Sequence, residues 1–320
     1  MSKASARICL AGEDLDWTGG RSILYGLDLK LEVNISMLDE SADYIFINSN
    51  KVNGTMKIKL NDILNYKYTD SFYNYIIAGI RVFNKHHKNI KAMKIEIISE
   101  VPIKSGLSSS AALLVAFFKE LFLRYNIKYD VSNIINLCYE TEHYELNSTV
   151  GKMDFYSCLE GYKKILVYDG KVDKVNVLDF LFDSDVHTVL IYTGNSTSTK
   201  QVNISKNNRF MKKEVDFMYY LESGNKIVNE MIEQFNNKVD INEIGKSITK
   251  YHTIMDKYLK VTNESINDCV KICLNMGALG AKLTGCGLGG YVFCLIKDDK
   301  LKNLLDELEK KKYDYIVCNN

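Results

Sequence analysis

Proline is almost missing from this chain: among 320 residues, Pro102 is the only one. Missing too is any apolar run near the roughly 20 residues a membrane-spanning helix needs, because Lys119 and Glu120 interrupt the longest candidate. The opening residues hold no apolar segment of the signal-peptide kind, which predicts a cytoplasmic protein. Charge of either sign is not in excess. The net value of +1 gives no global field to draw the chain to nucleic acid or to an anionic membrane. The most basic stretch, "FNKHHKNIKAMKIEI" (Phe83 to Ile97), ends in alternating charged and apolar residues and reads as a solvated strand face. No cysteines stand at zinc-ligand spacing. The closest pair of the eight, Cys269 and Cys273, falls in a helical pattern and reads as buried thiols in a reduced compartment. A Walker loop is absent as well, since G-x-x-x-x-G-K-[ST] occurs nowhere.

What is present is the composition of an ordinary globular protein, 46% hydrophobic and 25% charged, long enough for two domains. Short alternating runs predict strands at "ARICLAG", "ILYGLDLKLEV", "DYIFINS" and "GTMKIKL". A helix-period stretch covers about Thr69 to His86, and "KAMKIEIISEV" is a further strand. Apolar residues from Ala111 to Tyr125 recur at spacings of three and four, which predicts an amphipathic helix opening at the serines before it. A second helix covers about Val131 to Asn147. The strands "KKILVYDG" and "HTVLIYTG" bracket a loop that reads as a domain junction, so we expect domains at 1–170 and 171–320. Helices follow at about Arg209 to Asn236, Ile241 to Tyr258 and Glu264 to Met276. The chain then runs strand, Gly-rich turn, strand, helix, strand. Without strict βα alternation, this is an α+β protein.

Three segments carry chemistry. In "VPIKSGLSSSAALL" a strand leads through Gly106, Leu107 and Ser108 to Ser110 into a helix. Unpaired N–H groups and hydroxyls then meet at a helix N-terminus, which suits an anion such as phosphate. In "GAKLTGCGLGG" (Gly280 to Gly290), Gly285, Gly287 and Gly290 satisfy G-x-G-x-x-G. A strand rather than a helix follows, which removes the dinucleotide reading, and the absence of H-R-D and D-F-G removes the protein-kinase one. What remains is a turn whose backbone approaches a ligand closely. In "ARICLAGEDLDWTGGRS", Arg7 precedes a cluster of Glu13, Asp14 and Asp16, suited to hydrogen bonding with a polyhydroxylated ligand or, equally, to a solvated turn.

In this order the segments resemble the GHMP kinases, and most nearly their galactokinase branch. "GEDLDWTGG" fits the family's first motif from Gly12 to Gly20. "PIKSGLSSSAA" fits the second at every specified position, and "GAKLTGCGLGG" fits the third throughout. A fourth segment, "ETEHYELNSTVGKMDFYSCLEG", resembles the galactokinase stretch that holds a magnesium ligand and a catalytic aspartate. The resemblance implies a two-domain fold with the active site between domains. The N-terminal domain would be ribosomal-protein-S5-domain-2-like and the C-terminal one ferredoxin-like.

It further implies ATP and Mg2+ as cofactors and a kinase acting on a small alcohol, most nearly the anomeric hydroxyl of a sugar. Asp154 would be the base with Arg7 beside it, and Ser110 and Glu142 the metal ligands. Pro102, Gly106, Leu107, Ser108, Ser109, Ser110, Ala111, Gly285, Gly287 and Gly289 would hold the nucleotide. Glu13, Asp14, Asp16, Gly151 and Asp154 would hold the substrate. The implied partner is a small molecule, with neither nucleic acid nor membrane, bound by a monomer or homodimer. Departures at Ser5-Ala6, Cys9 and Asp14-Leu15 from the galactokinase pattern leave the identity of the sugar open, and the alternative is a mevalonate kinase-like enzyme or another GHMP kinase acting on a different alcohol. A non-catalytic ATP and sugar sensor is the other alternative. The loop "LIYTGNSTSTK" (Leu190 to Lys200) resembles the substrate side of bacterial sugar kinases.

Overall fold

Strand β2 (Arg21–Met37) is the spine of the first sheet, and its 17 residues pair with three neighbours. It runs antiparallel to β1 (Ser2–Ala11), to β5 (Met93–Ser99) and to β6 (Ile165–Asp169). The sheet follows the order β4-β3-β5-β2-β6-β7, with β1 against β2 off that path. Here β3 is Tyr44–Ser49, β4 is Val52–Lys59 and β7 is Lys174–Leu178. Among the described residues only the β3–β5 pairing in this sheet is parallel. The computed structural model describes residues 1–69, 71–103, 105–194 and 199–319.

Helices α1 (Asn74–His87), α2 (Ser109–Arg124), α3 (Val131–Tyr139) and α4 (Met153–Glu160) belong to this half. Helix α2 packs on β1 and β2. Its residues from Ala111 through Phe118 are all buried. The one-sided stripe expected there is instead apolar almost all round, as befits a helix enclosed on every side.

The second sheet is antiparallel throughout, in the order β11-β8-β10-β9. Its strands are β8 (Val186–Tyr192), β9 (Gly280–Leu283), β10 (Tyr291–Lys297) and β11 (Tyr315–Asn319). Taken in chain order this is 4-1-3-2, the ferredoxin-like arrangement the resemblance implies. Its helices are α5 (Thr199–Met211), α6 (Val215–Asn236), α7 (Ile241–Ile254), α8 (Glu264–Asn275) and α9 (Asp298–Lys310).

Two local differences from the sequence reading have clear causes. The loop expected between β6 and β8 contains β7, a short and mostly exposed strand whose polar residues mask its pairing to β6. Sheet membership therefore changes between Leu178 and Val186 rather than at residue 170. The helix expected from about Arg209 to Asn236 is α6, which begins at Val215, while Arg209 belongs to the end of a separate helix, α5, beyond residues 212–214. One buried apolar cluster runs through both halves, from Ile8 and Leu114 to Phe217 and Phe293. No described helix is long and apolar enough to cross a membrane.

Candidate active site

Strand β1 bulges where its register to β2 shifts, between Ser5 and Arg7 and again between Cys9 and Ala11. Bulges re-aim side chains next to sites, and Arg7 here meets Asp154 of α4. The guanidinium donates from Nε to Asp154 Oδ1 at 2.7 Å and from Nη2 to Oδ2 at 2.6 Å. Its Nη1 donates to the Gly106 carbonyl at 2.8 Å. One planar cation thus ties β1, the serine loop and α4 together, the fork-to-carboxylate geometry that arginine supplies and lysine does not. Burial opposes the charge on Arg7, but Asp154 outweighs it and holds the guanidinium above its ordinary value. Asp154 lies in the first turn of α4, where the helix dipole favours an acid.

The serine loop meets the third motif backbone to backbone. A Cβ on Gly106 would lie 2.5 Å from the Thr284 carbonyl oxygen, and one on Gly285 would lie 2.5 Å from the Cα of Gly106. Both glycines also adopt positive φ, so no other residue fits either place without strain. Gly287 packs in the same way on Val261, and Leu288 donates to the Val261 carbonyl at 2.7 Å. Gly289 also has positive φ, at 140°. Pro102 opens a turn closed by Ser105, whose hydroxyl donates to the Pro102 carbonyl at 2.8 Å. Leu107 and Ala111 are buried in the core beneath the loop. Ser109 and Ser110 form the first turn of α2, whose N-terminus no side chain caps.

Ser110 donates to Glu142 Oε1 at 3.2 Å. Glu142 sits on a π-helical turn, Glu140–Glu145, that follows α3, an irregularity often found at functional sites. Burial first, then the charge of Asp154, pushes the Glu142 carboxyl up to about 7, against the hydrogen bond from Ser110. A cation in that place would relieve both effects. Among the described residues no three His, Cys, Asp or Glu side chains form a metal cluster. Mg2+ needs only one or two carboxylates beside phosphate oxygens and water, so the Ser110–Glu142 pair fits it.

The acidic loop after β1 divides its carboxylates among different tasks. Glu13 is buried against Lys282 of β9. Asp14 accepts from Lys206 of α5 at 2.7 Å and from the Trp17 indole N–H at 3.1 Å. Asp16 lies against Gly151, where a Cβ would sit 1.8 Å from Asp16 Oδ2. Burial, then the charges of Asp154 and Asp14, push the Asp16 carboxyl up to about 7, opposed by the Trp17 backbone N–H and by Arg7. The structure thus gathers Asp16, Gly151, Asp154 and Arg7 beside the serine loop, and commits Glu13 and Asp14 to buried lysines.

Helix α5, which the sequence reading missed, covers this end. Asn203 donates to the Thr149 carbonyl at 3.0 Å, and Phe210 meets Trp17 edge-on at 5.4 Å. Lys282 carried a signal that could have been read, a lysine inside a strand of apolar and small residues. Residues 195–198 of the "LIYTGNSTSTK" loop lie outside the described residues, as does Lys104 of the second motif.

The chain is similar in sequence and in fold to known proteins. The family description "GHMP kinases N terminal domain" matches residues 74–162, and "GHMP kinases C terminal" matches 231–314. A galactokinase of Pyrococcus furiosus is 24% identical over 96% of this chain and 91% of its own. A mevalonate kinase of Methanocaldococcus jannaschii is 27% identical over 98% and 97%. In fold, the Methanococcus jannaschii mevalonate kinase superposes with a TM-score of 0.83 at 24% identity, covering 99% of this chain and 96% of the other. The Lactococcus lactis galactokinase complexed with galactose does so with 0.84 at 18%, covering 99% and 93%. With both of its domains matched and its motifs meeting at one site, the chain belongs to the GHMP kinases and is a phosphotransferase.

Proposed function

We propose that this kinase transfers the γ-phosphoryl group of ATP, with magnesium, to the anomeric hydroxyl of a free sugar. One observation carries the choice of acceptor. Among the described residues, each cation packed into the acidic cluster is already paired, Arg7 with Asp154, Lys206 with Asp14 and Lys282 with Glu13. Asp16 adds a further carboxyl to the same cluster. A carboxylate acceptor such as mevalonate calls for a free cation, whereas a neutral polyol calls for hydrogen-bond acceptors of this kind. Arg7 and the motif resemblance to galactokinases support the anomeric position.

Phosphoryl transfer asks the protein chiefly for alignment and charge stabilisation. Backbone donors from Gly106 to Ser110 and the uncapped start of α2 hold the phosphates. Ser110 and Glu142 hold magnesium, whose charge, when bound, offsets that of the phosphate oxygens. Asp154 accepts the proton of the attacking hydroxyl, and the fork of Arg7 fixes its direction.

The test is an ADP-release screen across hexoses, pentoses, uronic acids and mevalonate, with product regiochemistry read by phosphorus NMR. A sugar 1-phosphate is the expected product. Turnover of mevalonate with no sugar turned over would overturn the acceptor class. Binding of ATP and sugar without ADP release would make the protein a sensor. In the active system Asp154→Asn is expected to lower kcat by at least ~100-fold.

A further inference from the structure

Ser108 breaks the pattern its position sets. A serine just before a helix is ordinarily extended, with its side-chain oxygen accepting from an N–H of the first turn. Ser108 instead has φ 60° and ψ 40°, the left-handed conformation, and its side chain caps nothing. Glycine adopts that backbone freely, whereas a residue with a Cβ is strained in it. Strain of this sort persists at functional sites where the side chain is needed. The hydroxyl of Ser108 donates to Asp154 Oδ2 at 2.7 Å.

We infer that Ser108 is a positioning residue for Asp154, holding the carboxylate in the direction from which it takes the acceptor's proton. The inference rests on Asp154 being the base. It also goes beyond the phosphate-gripping role that the loop suggests for its serines, because this hydroxyl is directed at the base. Among the described residues three donors reach Asp154, Arg7 Nη2 and Ser108 Oγ on Oδ2 and Arg7 Nε alone on Oδ1. Oδ1 therefore keeps more of its accepting capacity for the acceptor's proton. Arg7 alone would fix the carboxylate plane through its fork. Ser108 adds a hold from the serine loop, so the base is set relative to the segment that grips the phosphates. Alignment between those two groups is what an in-line transfer depends on.

The experiment compares Ser108→Gly, Ser108→Ala and Asp154→Asn in the full chain. The probes are MgATP with D-galactose, MgATP with (R)-mevalonate, and MgATP alone, whose slow hydrolysis reads the same base acting on water. Ser108→Gly suits the left-handed backbone, so it keeps the fold while removing the hydroxyl with its Cβ, and Ser108→Ala removes the hydroxyl alone. Both Ser108 variants are expected to lose ~10- to 100-fold in kcat with KM for ATP within about two-fold of wild type. A raised KM for ATP with kcat kept would show that the hydroxyl grips phosphate, and would overturn the inference. Wild-type kcat in Ser108→Gly with loss only in Ser108→Ala would show a backbone effect, and would also overturn it. If Asp154→Asn is inactive while both Ser108 variants keep wild-type kcat, only the role of Ser108 falls. If Asp154→Asn itself keeps wild-type turnover, the base assignment falls and this inference with it.

Discussion

Lys282 of β9 and Glu13 of the loop after β1 form an ion pair with both side chains out of solvent, so the first motif is joined to the third by charge. Lys282 also donates to the Leu283 carbonyl at 2.7 Å. Among the described residues the second carboxylate oxygen of Glu13 has no hydrogen-bond partner, which leaves the acid dependent on its lysine. Removing one member of such a pair costs about 3–5 kcal/mol, because the remaining charge stays buried. Lys282→Met is expected to lower unfolding stability by that order, read from urea titration. Adding Glu13→Gln to it is expected to restore at least half of the loss. Equal destabilisation in the single and double variants would show that the charge pairing is not what holds these segments together.

Gly151 and Asp16 make a second contact that a side chain would destroy. With a Cβ at residue 151 falling 1.8 Å from Asp16 Oδ2, Gly151→Ala has to push the carboxyl aside. Its main effect is expected on KM for the acceptor, raised ~10-fold or more, with KM for ATP nearly unchanged. Combined with Asp16→Ala, the substitution is expected to add little further loss, because residues in contact are non-additive. Fully additive losses in the double variant would place the effect elsewhere.

Asp16 also makes the protein's stability depend on pH. Its carboxyl is pushed up to about 7 from an ordinary 3.8, chiefly by burial. Between those values the folded state keeps a proton that the unfolded state has released, so stability falls as pH rises through this window. Below it the group contributes no difference. Asp16→Asn removes the penalty, and its melting temperature is expected to exceed that of wild type near pH 8 while matching it near pH 4. A gap that stays constant with pH would mean that Asp16 ionises in the folded state as it does in the unfolded one.

Much of this site is legible in the sequence because its logic is local. A glycine run between strands declares that a Cβ is not tolerated, and the Ser-rich turn before an apolar helix declares an open N-terminus. What approaches the glycines is not local, however. The glycine-rich turn at Gly285 reads as making room for a ligand, and in the structure Gly285 and Gly106 make room for each other. Helix α5 was missed for a related reason. It carries no apolar stripe, and Lys206 is buried there because Asp14, 192 residues away in sequence, neutralises it. Pairing at that separation leaves no periodic trace. The same limit applies to Glu13 and Asp14, which as residue types look alike to Asp16. Their partners on β9 and α5 are what set them apart.

Arg7 tests how much of the base's competence is geometry rather than charge. Its guanidinium makes three hydrogen bonds at once, two to Asp154 and one to the Gly106 carbonyl. Lysine keeps the positive charge but offers a point donor on a flexible stem and cannot reproduce the fork. If charge alone mattered, Arg7→Lys would remain close to wild type while Arg7→Met would fail. The arrangement of one cation across β1, α4 and the serine loop argues otherwise. Arg7→Lys is expected to lose ~10- to 100-fold in kcat with KM for ATP little changed, since misalignment of the reacting groups by about 1 Å carries a cost of that order. Steady-state kinetics of the two variants with the best acceptor from the ADP-release screen decide the matter. A lysine variant within a few-fold of wild type would reduce Arg7 to a counter-ion.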